Sequence, residues 1–174
     1  VRVFSRRAEA RQALAERARA ELGLEVSAAA SLEEAVADAS IVTLITNATE
    51  PFLKSSMVAH GAHINAMGAI VPARIEFTQD IFPRCEMIVV DTIEGTRGLS
   101  AEFRERFGDD PSAWETVRPI SRVIAEGVSR PPRCDLSLFK AMGMGISDLA
   151  LGIEVLARAE SQGHARTMPQ RVRV

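Results

Sequence analysis

The run at residues 40–45, Ser-Ile-Val-Thr-Leu-Ile, constrains the fold more than any other part of the chain. It is β-branched and almost wholly apolar, and it passes directly into the polar stretch Thr46-Asn47-Ala48-Thr49-Glu50-Pro51. An apolar run that does not alternate with polar residues reads as a strand covered on both faces, as the strands of parallel sheets are. Further strands are predicted at residues 1–4, 24–28, 63–67, 87–90 and 134–140. Helical stretches fall between them, at 6–22, 32–39, 78–84, 92–97, 101–107 and 120–126, and a longer amphipathic one follows at 146–162. Strands that alternate with helices in this way predict an α/β fold, a doubly wound parallel sheet with helices on both faces.

Local signals place several boundaries. Residues 6–22 are rich in Ala, Arg, Glu and Leu, all strong helix formers. Ala10, Leu14, Ala18 and Leu22 recur every four residues and predict the apolar stripe of this helix, and Gly23 supplies its stop. Ser31 followed by Glu34 is a capping-box pattern for the next helix. Asp148 falls in the first turn of the last helix, where a carboxylate answers the helix dipole. Residues 129–133 carry two prolines and read as a linker, and the polar, basic tail at 164–174 is expected to be flexible. The chain opens at Val1, inside an apolar strand rather than at a methionine, so a truncated sequence is expected.

Composition narrows the function classes. Of the 174 residues 47% are hydrophobic and 25% charged, the balance of a globular chain able to bury a core. A formal net charge of −2 gives no electrostatic ground for binding nucleic acid or an anionic membrane. No apolar run approaches the ~18 residues of a membrane span, and no charged-then-apolar leader is visible, so a cytoplasmic protein is expected. Cys85 and Cys134 lack CxxC or metal-ligand spacing and are expected to be reduced, packed thiols. His63 has no second histidine or acidic partner at metal spacing, so a packed or hydrogen-bonded side chain is expected and no metal site is assigned.

Ligands of doubly wound sheets bind outside the C-terminal ends of the strands. The loops that qualify are 5–7, 46–51, 65–72 and 139–145. In a dinucleotide-binding fold the end of the second strand faces the adenosine ribose, where arginine accommodates the 2′-phosphate of NADP and an acid favours NAD. If residues 1–4 are that inner strand, Ser5, Arg6 and Arg7 at its tip favour NADP. On spacing alone the two arginines read more simply as solvated first-turn residues, yet a cation there opposes the helix dipole, and a nearby anion would account for it. Asn65-Ala66-Met67-Gly68 either sets backbone and amide groups against a nicotinamide or is an ordinary strand exit closed by glycine; Thr46 and Asn47 carry the same two readings. The phosphate loop GxGxxG does not occur, and Gly143-Met144-Gly145 is too short to imitate it. No Ser-His-Asp or Cys-His constellation is visible, and no catalytic residue is assigned.

Five stretches taken together, VRVFSRR, EEAVADASIVTLITNATEP, GAHINAMGA, RCEMIVVD and LFKAMGMGISDLA, resemble the ornithine cyclodeaminase/mu-crystallin family in order and approximate spacing. The resemblance extends to about Gly163. It implies a Rossmann-type domain inserted into a dimerisation and substrate domain, with a homodimer as the full-length protein. It also implies that the first strand, the glycine-rich loop and the basic residues that grip a substrate carboxylate precede Val1. Residues 1–115 are then a partial Rossmann domain, and residues 116–163 finish it and return toward the dimerisation domain.

Carried over residue by residue, Ser5, Arg6 and Arg7 match the segment that holds the 2′-phosphate in NADP-using members. Thr46, Asn47 and Ala48 match the loop under the cofactor, and Asn65, Met67 and Gly68 match residues near the nicotinamide. Phe139, Met142 and Gly143 lie in the segment that flanks it from the other side. One departure matters. Cyclodeaminases and the related alanine dehydrogenases carry an aspartate shortly after the NAxG motif, and here Ile70 holds that place. Isoleucine can neither take a proton nor stabilise an iminium. The resemblance therefore implies an enzyme that reduces a cyclic imine or ketimine amino acid, with NADPH as hydride donor and NAD the less favoured cofactor. The alternatives are an ornithine cyclodeaminase with bound NAD, forming L-proline and ammonia from L-ornithine, and a non-catalytic NADPH-binding protein of mu-crystallin type. Without the glycine loop this stretch alone is expected to be inactive, because the pyrophosphate loses its backbone cradle.

Overall fold

In the computed structural model, which describes residues 1–166, the chain begins with Arg2–Val3 (β1) and continues into Ala8–Leu22 (α1). Ser27–Ala28 (β2) returns parallel to β1, with Val3 opposite Ala28. Gly23 ends α1 as the sequence predicts: its φ is 64° and its N–H donates to the Arg19 carbonyl. Of the predicted stripe, Ala10 and Ala18 are half-buried, but Leu14 and Leu22 are exposed. The inward line of α1 runs through Arg11, Ala15 and Ala18, and Ala15 alone is fully buried. An alanine at the contact lets the helix lie close on β1 and β2, which leaves the leucines to either side.

Leu32–Val36 (α2) starts at Ser31, whose hydroxyl accepts from the Glu34 N–H, while the Glu34 carboxylate accepts from the Ala30 N–H. The helix is shorter than predicted, and Asp38, just past its end, adopts a left-handed φ of 53°.

Ile41–Leu44 (β3), Ala62–Ala66 (β4), Cys85–Val90 (β5), Val117–Pro119 (β6) and Leu136–Lys140 (β7) form a five-stranded sheet in the order β3-β4-β7-β5-β6, with every pair parallel. Ile93–Leu99 (α3) and Ala101–Phe107 (α4) lie between β5 and β6, and Ile120–Ala125 (α5) follows β6. The stretch predicted as helical at 78–84 is a 3-10 turn, Gln79–Arg84, whose Pro83 lacks the N–H a regular helix would use. Further 3-10 turns at Ser55–Met57 and Pro111–Thr116, and the three-residue β6, carry no periodic signal in the sequence.

One face of this sheet carries the core. Val42, Leu44, Ile64, Ala66, Val90, Leu136 and Leu138 meet Leu53, Phe77 and a ring cluster built on Phe82, which stands edge-on to Phe77, Phe103 and Phe107 at 5.2–5.5 Å. Burying each such large apolar side chain contributes roughly 2 kcal/mol.

The expectation that residues 1–4 form an inner strand needs correction. β1 pairs on one side only, with β2, and these two strands make a sheet separate from the five-stranded one. Among the described residues nothing pairs with the second edge of β1 or with the outer edge of β3. A ladder needs a neighbour at ~4.8 Å, and none of the described strands supplies one there.

The chain divides into two compact units, Val1–Met142 and a second that begins at Gly143. The second holds Gly145–Ser161 (α6), with Asp148 in its first turn as predicted and Ile146, Leu149, Ile153 and Leu156 exposed. Residues 164–166 have no regular structure, and the remainder of the predicted flexible tail lies outside the described residues. No helix among the described residues is long and apolar enough to cross a membrane.

Candidate functional site

β3, β4 and β7 are adjacent and parallel, so their C-terminal ends lie side by side, with Leu44 opposite Ala66 and Ala66 opposite Lys140. The ladder continues beyond the strands: the Met67 N–H donates to the Leu44 carbonyl at 2.9 Å and the Ala141 N–H to the Ala66 carbonyl at 3.1 Å. This register brings together Thr46, Asn47 and Ala48 after β3, Met67 and Gly68 after β4, and Met142 after β7. Thr46, Asn47 and Met67 are exposed, Ala48 and Gly68 are half-buried, and Met142 is buried. Gly143, with a φ of 90°, opens the second unit.

Beneath these loops lies a carboxylate that the sequence reading did not single out. Glu76 is fully buried. Its Oε1 accepts from the Thr46 N–H at 2.7 Å and the Thr46 hydroxyl at 2.8 Å, and its Oε2 accepts from the N–H groups of Gly68 at 2.9 Å and Ala69 at 3.1 Å. Gly68 is required where it stands: a Cβ there would lie 2.2 Å from the Thr46 nitrogen and 2.4 Å from Glu76 Oε1.

Three more buried charges surround it. The Lys140 ammonium donates to the Ala69 carbonyl at 2.7 Å. Burial pulls its pKa below the ordinary lysine value, while Glu102, Glu76 and Asp91 pull it back up. Glu102 accepts from the Glu76 N–H at 3.0 Å and from the Ser100 hydroxyl at 2.8 Å. Asp91 accepts from the Thr92 N–H and, across the β5–β7 boundary, from the Met142 N–H, each at 2.7 Å. The hint in the sequence is a charge set against an apolar run: Glu76 between Ile75 and Phe77, Asp91 after Met-Ile-Val-Val, and Lys140 after Leu-Ser-Leu-Phe.

Asn65 and Phe139 belong to the sheet face opposite the core rather than to the strand-end loops. The Asn65 amide donates to the Thr43 hydroxyl at 3.4 Å, and its oxygen lies 3.1 Å from His63 Nε2. His63 Nδ1 is 2.8 Å from the Ser137 hydroxyl, so the histidine is hydrogen-bonded as predicted. A cleft on this face runs past His63, Asn65 and Phe139 toward Ile120 and Val123 of α5. Cys85 and Cys134 are both free thiols.

Ser5, Arg6 and Arg7 follow the C-terminal end of β1 and open α1. The Ser5 hydroxyl donates to the Arg7 carbonyl at 3.0 Å, and the Ser5 carbonyl accepts from Arg11 at 2.9 Å. Both guanidinium groups at 6 and 7 are exposed, and among the described residues neither forms an ion pair.

Comparison with known proteins matches this arrangement to one family. The ornithine cyclodeaminase/mu-crystallin family profile matches residues 1–163. The chain is 32% identical over 124 residues to the ketimine reductase mu-crystallin of Macropus fuliginosus, covering 71% of this chain and 37% of that protein. It is 31% identical over 148 residues to the ornithine cyclodeaminase of Agrobacterium fabrum, covering 82% of this chain and 39% of the relative. Among solved structures, an archaeal alanine dehydrogenase dimer with bound NAD superposes with a TM-score of 0.83 at 25% identity, covering 97% of this chain and 52% of that one. The chain therefore spans about 37–39% of these curated relatives and about half of the solved chain. A parallel sheet whose strand ends carry these loops, together with a profile match over nearly its whole length, places the chain in the ornithine cyclodeaminase/mu-crystallin family.

Proposed function

We propose that the protein containing this chain reduces a cyclic imine or ketimine amino acid with NADPH. The observation that carries this reading is Ile70, 45% exposed in the loop after β4. Residues 65–72 read Asn-Ala-Met-Gly-Ala-Ile-Val-Pro and contain no carboxylate. A cyclodeaminase must oxidise, eliminate and reduce in one cycle and needs acid–base help where the cofactor meets substrate. A reductase needs only a positioned donor, an acceptor and a proton source. The relatives include both a ketimine reductase and an ornithine cyclodeaminase, so the choice between them rests on Ile70.

The residues present fit a dinucleotide in part. Exposed Thr46 and Asn47 and the apolar Met67 offer polar and apolar contact at the strand ends, and the two exposed guanidinium groups at Arg6 and Arg7 suit a 2′-phosphate. When bound, the nicotinamide supplies the hydride. On this reading Ser5, Arg6 and Arg7 hold the adenosine end, Thr46, Asn47 and Ala48 run under the cofactor, and Met67, Gly68 and Met142 border the nicotinamide. Asn65 and Phe139 support that end from the sheet, and Gly143, with a positive φ, follows Met142 in the chain. The full-length protein is read as a homodimer.

The test is direct. Full-length protein is mixed with NADPH and 1-pyrroline-2-carboxylate or 1-piperideine-2-carboxylate, and NADPH consumption and the cyclic amino acid formed are measured. Stoichiometric conversion is expected. L-proline and ammonia from L-ornithine without added reductant would replace this reading with the cyclodeaminase one, and cofactor binding without turnover of any of these would replace it with a binding protein.

A further inference from the structure

We propose that Glu76 is a positioning residue, a buried carboxylate that locks the loops after β3 and β4 into one unit so that both meet the nicotinamide end of the cofactor together. The proposal rests on the reading of those loops as cofactor-facing. Its basis is the number and origin of the donors. Four hydrogen bonds converge on two oxygens, two from Thr46 on one loop and two from Gly68 and Ala69 on the next. The side chain is filled as an acceptor and donates nothing. Glutamine is nearly the same size, but its amide would turn two donor hydrogens toward donors. Aspartate is shorter by one C–C bond, about 1.5 Å, and cannot reach both loops from the same backbone position.

Two further features point to the same role. Gly68 has no Cβ, which lets the second loop close onto Thr46 and Glu76. The Ala69 carbonyl is held by Lys140, so Ala69 is tied through its N–H to Glu76 and through its carbonyl to Lys140. A buried ionic group contributes little net stability, because its desolvation cost offsets what its partners return. An apolar side chain at position 76 would fill the space but would leave three loop N–H groups and a hydroxyl without acceptors. Loop geometry is therefore what the carboxylate contributes.

The test uses the full-length protein and reads the loops first without any turnover. In Glu76→Gln, hydrogen exchange of the Thr46, Gly68 and Ala69 amides is expected to rise together by about tenfold or more, while Ile64 and Ala66 on β4 keep their protection. Unchanged exchange, or a rise confined to one loop, would overturn the coupling. Should that variant not fold, Thr46→Val deletes one donor and touches only the first loop; it should still raise exchange at Gly68 by about threefold. An unchanged Gly68 amide would overturn the proposal.

Adding NADPH to wild type should slow exchange in both loops at once, and no effect on either would overturn the cofactor-facing role. With imine substrate, Glu76→Gln should lower kcat by about tenfold while the KM for NADPH changes less than about threefold, and the primary isotope effect from 4-deuterated NADPH should grow. A folded variant with wild-type kcat and isotope effect would sink the positioning role. If wild type reduces no imine, the reductase reading fails, and the two exchange measurements still decide the positioning role.

Discussion

Arg84 and Asp135 meet as a two-point pair, Nε to Oδ2 at 3.0 Å and Nη2 to Oδ1 at 2.8 Å, at the N-terminal ends of β5 and β7. The same guanidinium donates to the carbonyls of Ser55, Val58 and Ala59. One side chain thus fastens the end of the sheet opposite the candidate site. Arg84→Ala is expected to cost about 2–3 kcal/mol, because it leaves carbonyls and a carboxylate without their donor. Urea unfolding measures the loss, and a cost below about 0.5 kcal/mol would show that the pair is ornamental.

Cys85 gives a second prediction, in alkali. Burial pushes its thiol up from 9.0 to about 12, with Cys134 adding to the rise and Arg84 working against it. The unfolded chain then loses this proton first. The contribution to stability is complete below pH 9.0 and is lost as the pH climbs toward about 12. Cys85→Ala should flatten this part of the curve, worth up to about 1.4 kcal/mol per pH unit, while its packing cost stays the same at all pH. Urea midpoints on either side of pH 9.0 check it. The same alkaline slope in both proteins would exclude Cys85 as the source.

On the proposed reading, Arg6 and Arg7 carry the cofactor preference. Replacing both by Ala in the full-length protein should weaken NADPH about tenfold or more and NADH less than about twofold, because only the former brings a phosphate to pair. Thermal stability should hardly change, since both side chains are exposed. Fluorescence titration with each cofactor decides it, and equal losses would remove the phosphate-clamp role.

How much of this was legible beforehand depended on the length of each signal. β3 and β7 were readable because Ile-Val-Thr-Leu and Leu-Ser-Leu-Phe are dense in strand-forming residues. β6 was not, because Val-Arg-Pro is too short to show a period and gains its order from pairing with β5. The strand-end loops followed from the parallel rule. Glu76 did not, because its role comes from four donors brought from residues 7 to 30 positions away, and one acid between two apolar residues hints at burial but not at those partners. The separation of β1 from the main sheet was hidden for the same reason: pairing partners are a property of the fold and not of the run.

The outer rim of β3 has a practical consequence. Ile41 on β3 is 63% exposed and Ile45, just past its end, 73%, and the outer backbone groups of β3 find no ladder partner among the described residues. A bare, hydrophobic margin of this kind recruits whatever strand comes near. Handled by itself at high concentration, this polypeptide should stick to its own copies there, and a lysine at position 41 or 45 is the simplest way to keep it dispersed.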